Sequence, residues 1–132
     1  MKHTATVLLL SCLLVSNFSC KKDEGTAPSS RTIQFVLYTE KDFSNVYDTI
    51  IFSIFIKSGG QFLLNRPIGA MRVADIPTPA NKLVFNEVVP PGHEKEKLSV
   101  GFLYEIKNVG YSWLIDSCNA GEVLHVVNYN FQ

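Results

Sequence analysis

Apolar and polar positions alternate along most of the chain after residue 31. A period of two puts successive side chains on opposite faces of an extended backbone, so the pattern predicts strands rather than helices. Thr32–Thr39 sets Ile33, Phe35 and Leu37 against Gln34 and Tyr38. Thr49–Lys57 places Ile50, Phe52, Ile54 and Ile56 on one face and Ile51 and Phe55 on the other. A strand apolar on both faces predicts a central position in its sheet. Ser58-Gly59-Gly60 turns the chain into Gln61–Asn65 as a hairpin partner. Arg66-Pro67-Ile68-Gly69 is expected to break that strand, with a short one following at Ala70–Val73. Asp75 to Asn81 holds Pro77 and Pro79 and reads as a loop or sheet edge.

The second half continues the pattern. In Lys82–Val89, Leu83 and Phe85 share a face and Val88 falls opposite, which predicts a bulge near Asn86. Pro90-Pro91-Gly92 ends that strand, and His93–Lys97 reads as an exposed loop. Leu98–Ile106 alternates most cleanly, with Leu98, Val100, Phe102, Tyr104 and Ile106 inward. Asn108-Val109-Gly110 turns the chain into Tyr111–Asp116, whose Tyr111, Trp113 and Ile115 are expected to face the core. Cys118-Asn119-Ala120-Gly121 turns it again, and Glu122–Phe131 closes the domain. Short strands at intervals of roughly 8–15 residues predict an all-β fold. The expectation is an antiparallel β-sandwich of about seven strands, immunoglobulin-like or transthyretin-like. Neither fold implies a function.

The N-terminus follows another logic. Met1, Lys2 and His3 precede an apolar run from Thr6 to Val15. A membrane-spanning helix needs about 20 apolar residues. This run is too short to span, and it fits the apolar core of a secretory signal. Ser19-Cys20 after such a run resembles the lipobox of bacterial lipoproteins, in which cleavage precedes a cysteine whose thiol carries diacylglycerol. The pattern usually has Leu three residues before the cysteine, where this chain has Asn17. Cys12 competes locally through Leu9-Leu10-Ser11, but cleavage there would leave Leu13-Leu14-Val15 exposed. Lys22-Asp23-Glu24 resembles the Lys and two acids that send lipoproteins of the Bacteroidota to the cell surface. The same residues would also suit a solvated linker.

This divides the chain into a signal peptide at 1–19, a lipidated Cys20 and tether at 20–30, and a β-sandwich at 31–132. Gly25, Ala27, Pro28, Ser29 and Ser30 cannot build a core, and the flanking charges keep the tether wet. Removing 1–19 leaves 113 residues with a net charge near −1, from 12 basic and 12 acidic residues in the whole chain. A chain of this size can bury a core without staples. No basic patch suggests nucleic acid, and membrane contact is expected through the lipid alone. With Cys12 removed and Cys20 lipidated, Cys118 is expected to be an unpaired thiol. No second cysteine completes a zinc pattern.

Four groups of residues carry side chains capable of chemistry. Cys118, His125 and Asp116 offer a nucleophile, a base and an orienter, but equally a half-buried thiol and a strand histidine. Asp42, Asn45 and Asp48 share one loop and could offer oxygens to calcium, but the spacing matches no calcium loop and all three are ordinary turn residues. His93, Glu94 and Glu96 could offer metal ligands, but with Lys95 and Lys97 interleaved they read as a solvated turn. Asp48-Thr49-Ile50 resembles the Bacteroidota acceptor for O-glycosylation. No catalytic residue, metal or cofactor is expected. Tyr38, Phe43, Tyr47 and Phe55 cluster in sequence and are the candidates for a contact patch. The single tryptophan, Trp113, is thin support for a glycan platform.

The chain as a whole resembles the small lipoproteins of the Bacteroidota, specifically over residues 1–24 and by architecture beyond. The resemblance implies an outer-membrane lipoprotein exposed at the cell surface. The expected function is a non-enzymatic binding or accessory module with a protein or glycan partner. The alternative is a periplasm-facing structural or assembly lipoprotein of an outer-membrane complex.

Overall fold

The computed structural model describes residues 30–132. The expected lipid-bearing Cys20 and the sorting residues Lys22, Asp23 and Glu24 lie outside the described residues. Seven strands follow in order: β1 (Thr32–Tyr38), β2 (Thr49–Ser58), β3 (Gln61–Arg72), β4 (Leu83–Val88), β5 (Leu98–Ile106), β6 (Gly110–Cys118) and β7 (Leu124–Asn130). They form a β-sandwich, with one sheet ordered β4-β1-β7 and the other β3-β2-β5-β6. All pairings are antiparallel except β1 with β7, which is parallel. A parallel pair needs a long connection, and here all the intervening strands supply it. Immunoglobulin sandwiches put their first, second, fourth and fifth strands in one sheet. This chain groups its first, fourth and seventh, so of the two expected layouts the transthyretin-like one remains.

The core lies between the sheets and draws on the alternation that predicted it. Ile33, Phe35 and Leu37 of β1 face Ile50, Phe52, Ile54 and Ile56 of β2 and Leu98, Val100 and Phe102 of β5, all fully buried. Phe35 meets Phe102 edge-on, with ring centroids 5.6 Å apart. At the end of the sandwich bearing the β1–β2 loop, Phe52, Tyr104, Tyr129 and Phe131 pack as an aromatic cluster, and Phe43 closes it against Phe131.

Three strand expectations are corrected. β3 is not broken at Arg66–Gly69 but runs for 12 residues. It is an edge strand, and proline is tolerated at edges and bulges; Pro67 stands opposite Ser53 while the register slips by one residue between Phe52 and Ser53. That slip absorbs Ile68, so the expected break is a bulge. β4 has no bulge near Asn86, because its pairing with β1 runs without a shift from Leu83 to Val88. Val88 simply points to solvent. The third correction, in β6, creates the site described next.

Candidate functional site

The register of β5 against β6 sets which side chains leave the core. Leu98 pairs with Cys118, Phe102 with Leu114 and Ile106 with Gly110. Directly opposed residues share a face, so the even-numbered residues of β6 join the even-numbered, inward residues of β5. Tyr111, Trp113 and Ile115 therefore point outward, against the expectation that they face the core. Tyr111 is 72% exposed and Trp113 57%. Their rings stack, with centroids 6.0 Å apart.

The neighbouring strands extend this face. Leu103 stands opposite Trp113. Phe55 lies across from Gly101 and Asn65, and Lys57 across from Phe62. Phe62 is half exposed and meets Phe55 edge-on at 6.2 Å. The Lys57 ammonium sits 4.1 Å from the Phe62 ring centroid, a cation–π contact. Together Phe55, Phe62, Leu103, Trp113 and Ile115, with Lys57 and Asn65 at the rim, line a cavity of about 340 Å³. Gly101 lies in the same cross-strand row as Phe55 and Ile115. A Cβ there would come within 1.9 Å of the Leu114 carbonyl oxygen. Glycine thus permits the close approach of β6, and its missing side chain lowers the floor of the groove.

The expected contact patch does not assemble. Tyr38 is half-buried at the end of β1, with the Lys82 ammonium 4.3 Å from its ring centroid. Phe43 packs onto the core, Tyr47 projects into solvent from the β1–β2 loop, and Phe55 is the groove floor on the other sheet. Only Phe55 of the four belongs to the apolar groove. In the same loop, Asp42 accepts a hydrogen bond from the Ser44 N–H at 2.9 Å, an ordinary Asx turn. Asn45 and Asp48 are exposed, as is Thr49. His93 is held by Glu96, Nδ1 to Oε2 at 2.8 Å, while Glu94 accepts from the Gly92 N–H at 2.9 Å.

Cys118, His125 and Asp116 do come together, with two partners the sequence did not suggest. His125 Nε2 is 3.0 Å from Asp116 Oδ2, and Nδ1 is 2.9 Å from Glu122 Oε1. Arg31, almost fully buried, donates to the Cys118 Sγ at 2.8 Å. Its other donors reach the carbonyl oxygens of Glu122, His93, Glu96 and Asn119 at 2.7–3.0 Å. Burial pushes the Cys118 thiol pKa up, and the Arg31 charge offsets this only in part. An activated cysteine nucleophile needs the opposite shift and some exposure. Cys118 has neither, and among the described residues it is a free, buried thiol.

No family model, no curated protein and no solved structure matches this chain.

Proposed function

We propose that the chain is a lipid-anchored module of the outer membrane, displayed at the cell surface, which acts by binding through the outer face of the β3-β2-β5-β6 sheet. The observation that supports this reading is the aromatic groove between Phe62 and Trp113. Contiguous exposed apolar surface with a polar rim marks contact sites, and aromatic residues are enriched there. The stacked Tyr111 and Trp113 present flat faces, and Lys57, Asn65 and Glu105 supply polar groups beside them. That combination suits a sugar ring or the apolar side chains of a protein partner. The lipid anchor and the side of the membrane rest on Ser19-Cys20 and Lys22-Asp23-Glu24.

Trp113 is the only tryptophan, so its fluorescence reports directly on the groove. Titration with cell-surface polysaccharides is expected to shift its emission. A photoreactive residue at position 62 is expected to trap a protein partner on intact cells if the ligand is a protein. Tyr111→Ala with Trp113→Ala should abolish the position-62 adduct and any polysaccharide affinity measured calorimetrically. Removing exposed side chains costs within about 0.5 kcal/mol each, so the fold should persist. If the double variant binds as the wild type does, or the wild type gives neither signal, the groove is not the contact surface.

One observation favours the assembly reading. β6 is the outer strand of its sheet, nine residues long, and its sequence holds neither proline nor lysine. Those are the usual guards of a free edge, and an unguarded edge is suited to strand addition. Position-62 adducts confined to outer-membrane proteins, with the domain protected from external protease, would move the protein to that role.

A further inference from the structure

The carboxylate–histidine–thiol cluster at the β6–β7 turn lies apart from the groove and invites a different question. Cys118 ends β6, Glu122 lies in the turn, and His125 is the second residue of β7. One ligand atom from each, the Cys118 Sγ, a Glu122 carboxylate oxygen and a His125 ring nitrogen, lie within 4.8 Å of one another. We propose that these three residues form a zinc site.

The donor set selects the metal. Thiolate, imidazole and carboxylate together are zinc ligands, whereas calcium and magnesium take oxygen donors. A tetrahedral zinc, with Zn–S about 2.3 Å and Zn–N about 2.0 Å, spaces its ligands roughly 3.3–3.7 Å apart. The side chains thus need to close by only about an ångström from the observed 4.8 Å limit. Glu122 and His125 are partly exposed, so a cation enters from solvent while Cys118 holds it from beneath. Three protein ligands leave the fourth position to water.

The surroundings supply the outer shell that such a site requires. A zinc-bound histidine donates its other ring N–H to a carboxylate, which fixes the tautomer. Asp116 already accepts from Nε2 at 3.0 Å, which leaves Nδ1 for the metal beside Glu122 and Cys118. The Arg31 Nη2–H group points at the Cys118 Sγ and is placed to stabilise it as a thiolate. With both ring nitrogens on carboxylates, His125 carries two protons, and Cys118 carries one. Zinc replaces the proton between His125 and Glu122 and the thiol proton, and both leave to solvent. No bond is oxidised or reduced. The charged groups facing the site, Arg31, Asp116 and Glu122, keep the cluster neutral before and after this exchange.

The test uses the full chain, purified in detergent and stripped with a chelator. Cobalt is expected to bind one to one, giving a thiolate-to-cobalt charge-transfer band that zinc abolishes, and zinc should raise Tm. Cys118→Ser should lose the band. Glu122→Gln should weaken zinc binding at least tenfold. Asp116→Asn should retain the band but bind 10–100-fold more weakly, as loss of an outer-shell carboxylate does. Asp116 and Glu122 are partly exposed, and Gln or Asn keeps a carbonyl oxygen as acceptor, so both variants should remain folded without metal, which urea denaturation checks. No band in the wild type, a band surviving in Cys118→Ser, or wild-type zinc affinity in both Glu122→Gln and Asp116→Asn would each overturn the assignment.

Discussion

Arg31 stands just before β1, at the first position of the expected sandwich, and the sequence pattern assigns it no role. Its guanidinium uses all five of its N–H groups on four backbone carbonyls and one sulfur. The four carbonyls belong to the Pro90–Lys97 loop and the Asn119–Val123 turn, which no strand pairing holds, and the sulfur to Cys118 at the end of β6. One buried cation therefore ties two loops to the start of the first strand. Arg31→Met keeps the length and removes the donors, leaving the carbonyls to find water or go unpaired. An orphaned buried acceptor costs about 1–3 kcal/mol, and relief from burying a charge offsets part of the sum. The expected loss is about 3–5 kcal/mol, a large share of the 5–15 kcal/mol typical of a domain. Arg31→Lys, with three donors, should lie between. Urea denaturation measures both. An unchanged midpoint in Arg31→Met would show that the loops are held by packing alone. A lone arginine carries no periodicity, which is why the sequence was silent about it.

Among the elements, β5 and β6 decide where the groove lies, and Gly101 decides how closely they approach. A side chain there meets the Leu114 carbonyl oxygen, part of a paired strand that cannot swing aside. Gly101→Ala should force the hairpin apart and cost about 1–3 kcal/mol, the usual penalty of overpacking. It should also shift Trp113 emission, because Trp113 flanks the same groove. Full stability with unaltered emission would mean that β6 has slack. This hairpin also marks the limit of what alternation reveals. The strands were legible because Ile33, Phe52 and Phe102 sit in long period-two runs beside turn residues. Tyr111, Trp113 and Ile115 make an equally good run, and its polarity pattern points them inward. Register overrules it, because a one-residue change in pairing exchanges the two faces of a strand. The three residues between Ile106 and Gly110 fix that register. Counting through the turn would have sent Trp113 outward. Pro67 misled for a related reason: it forbids a central strand but not an edge, and local sequence does not reveal which strand is the edge. The Glu122–His125 pairing was hidden because a set with one cysteine has no spacing signature.

At the scale of the whole molecule, the question is how the groove is presented. The described chain begins at the end of the sandwich where Arg31 gathers the Pro90–Lys97 loop and the Asn119–Val123 turn. The Ser58 hairpin lies at that same end, through the hydrogen bond from the Ser58 hydroxyl to Glu96. Phe62 is therefore near the tether and Tyr111 towards the far end, so the groove runs along the flank of the domain. Residues 21–30 reach at most about 33–36 Å when extended, enough in the proposed anchoring to hold that flank clear of the lipid. The proposed lipid on Cys20 would fix the protein to a membrane but not to a side of it. Lys22, Asp23 and Glu24 occupy the position beside Cys20 that sorting would read. They precede β1 by eight residues or more, so replacing all three with Ala should leave the urea midpoint and lipidation unchanged. The same change should move the protein from the outer to the inner leaflet of the outer membrane. Protease added to intact cells reads the difference, since only outward-facing domains are cut. A wild type that is protected would reject surface display and bring the assembly role forward. Equal cleavage of wild type and triple variant would leave display standing and take the sorting role away from these three charges.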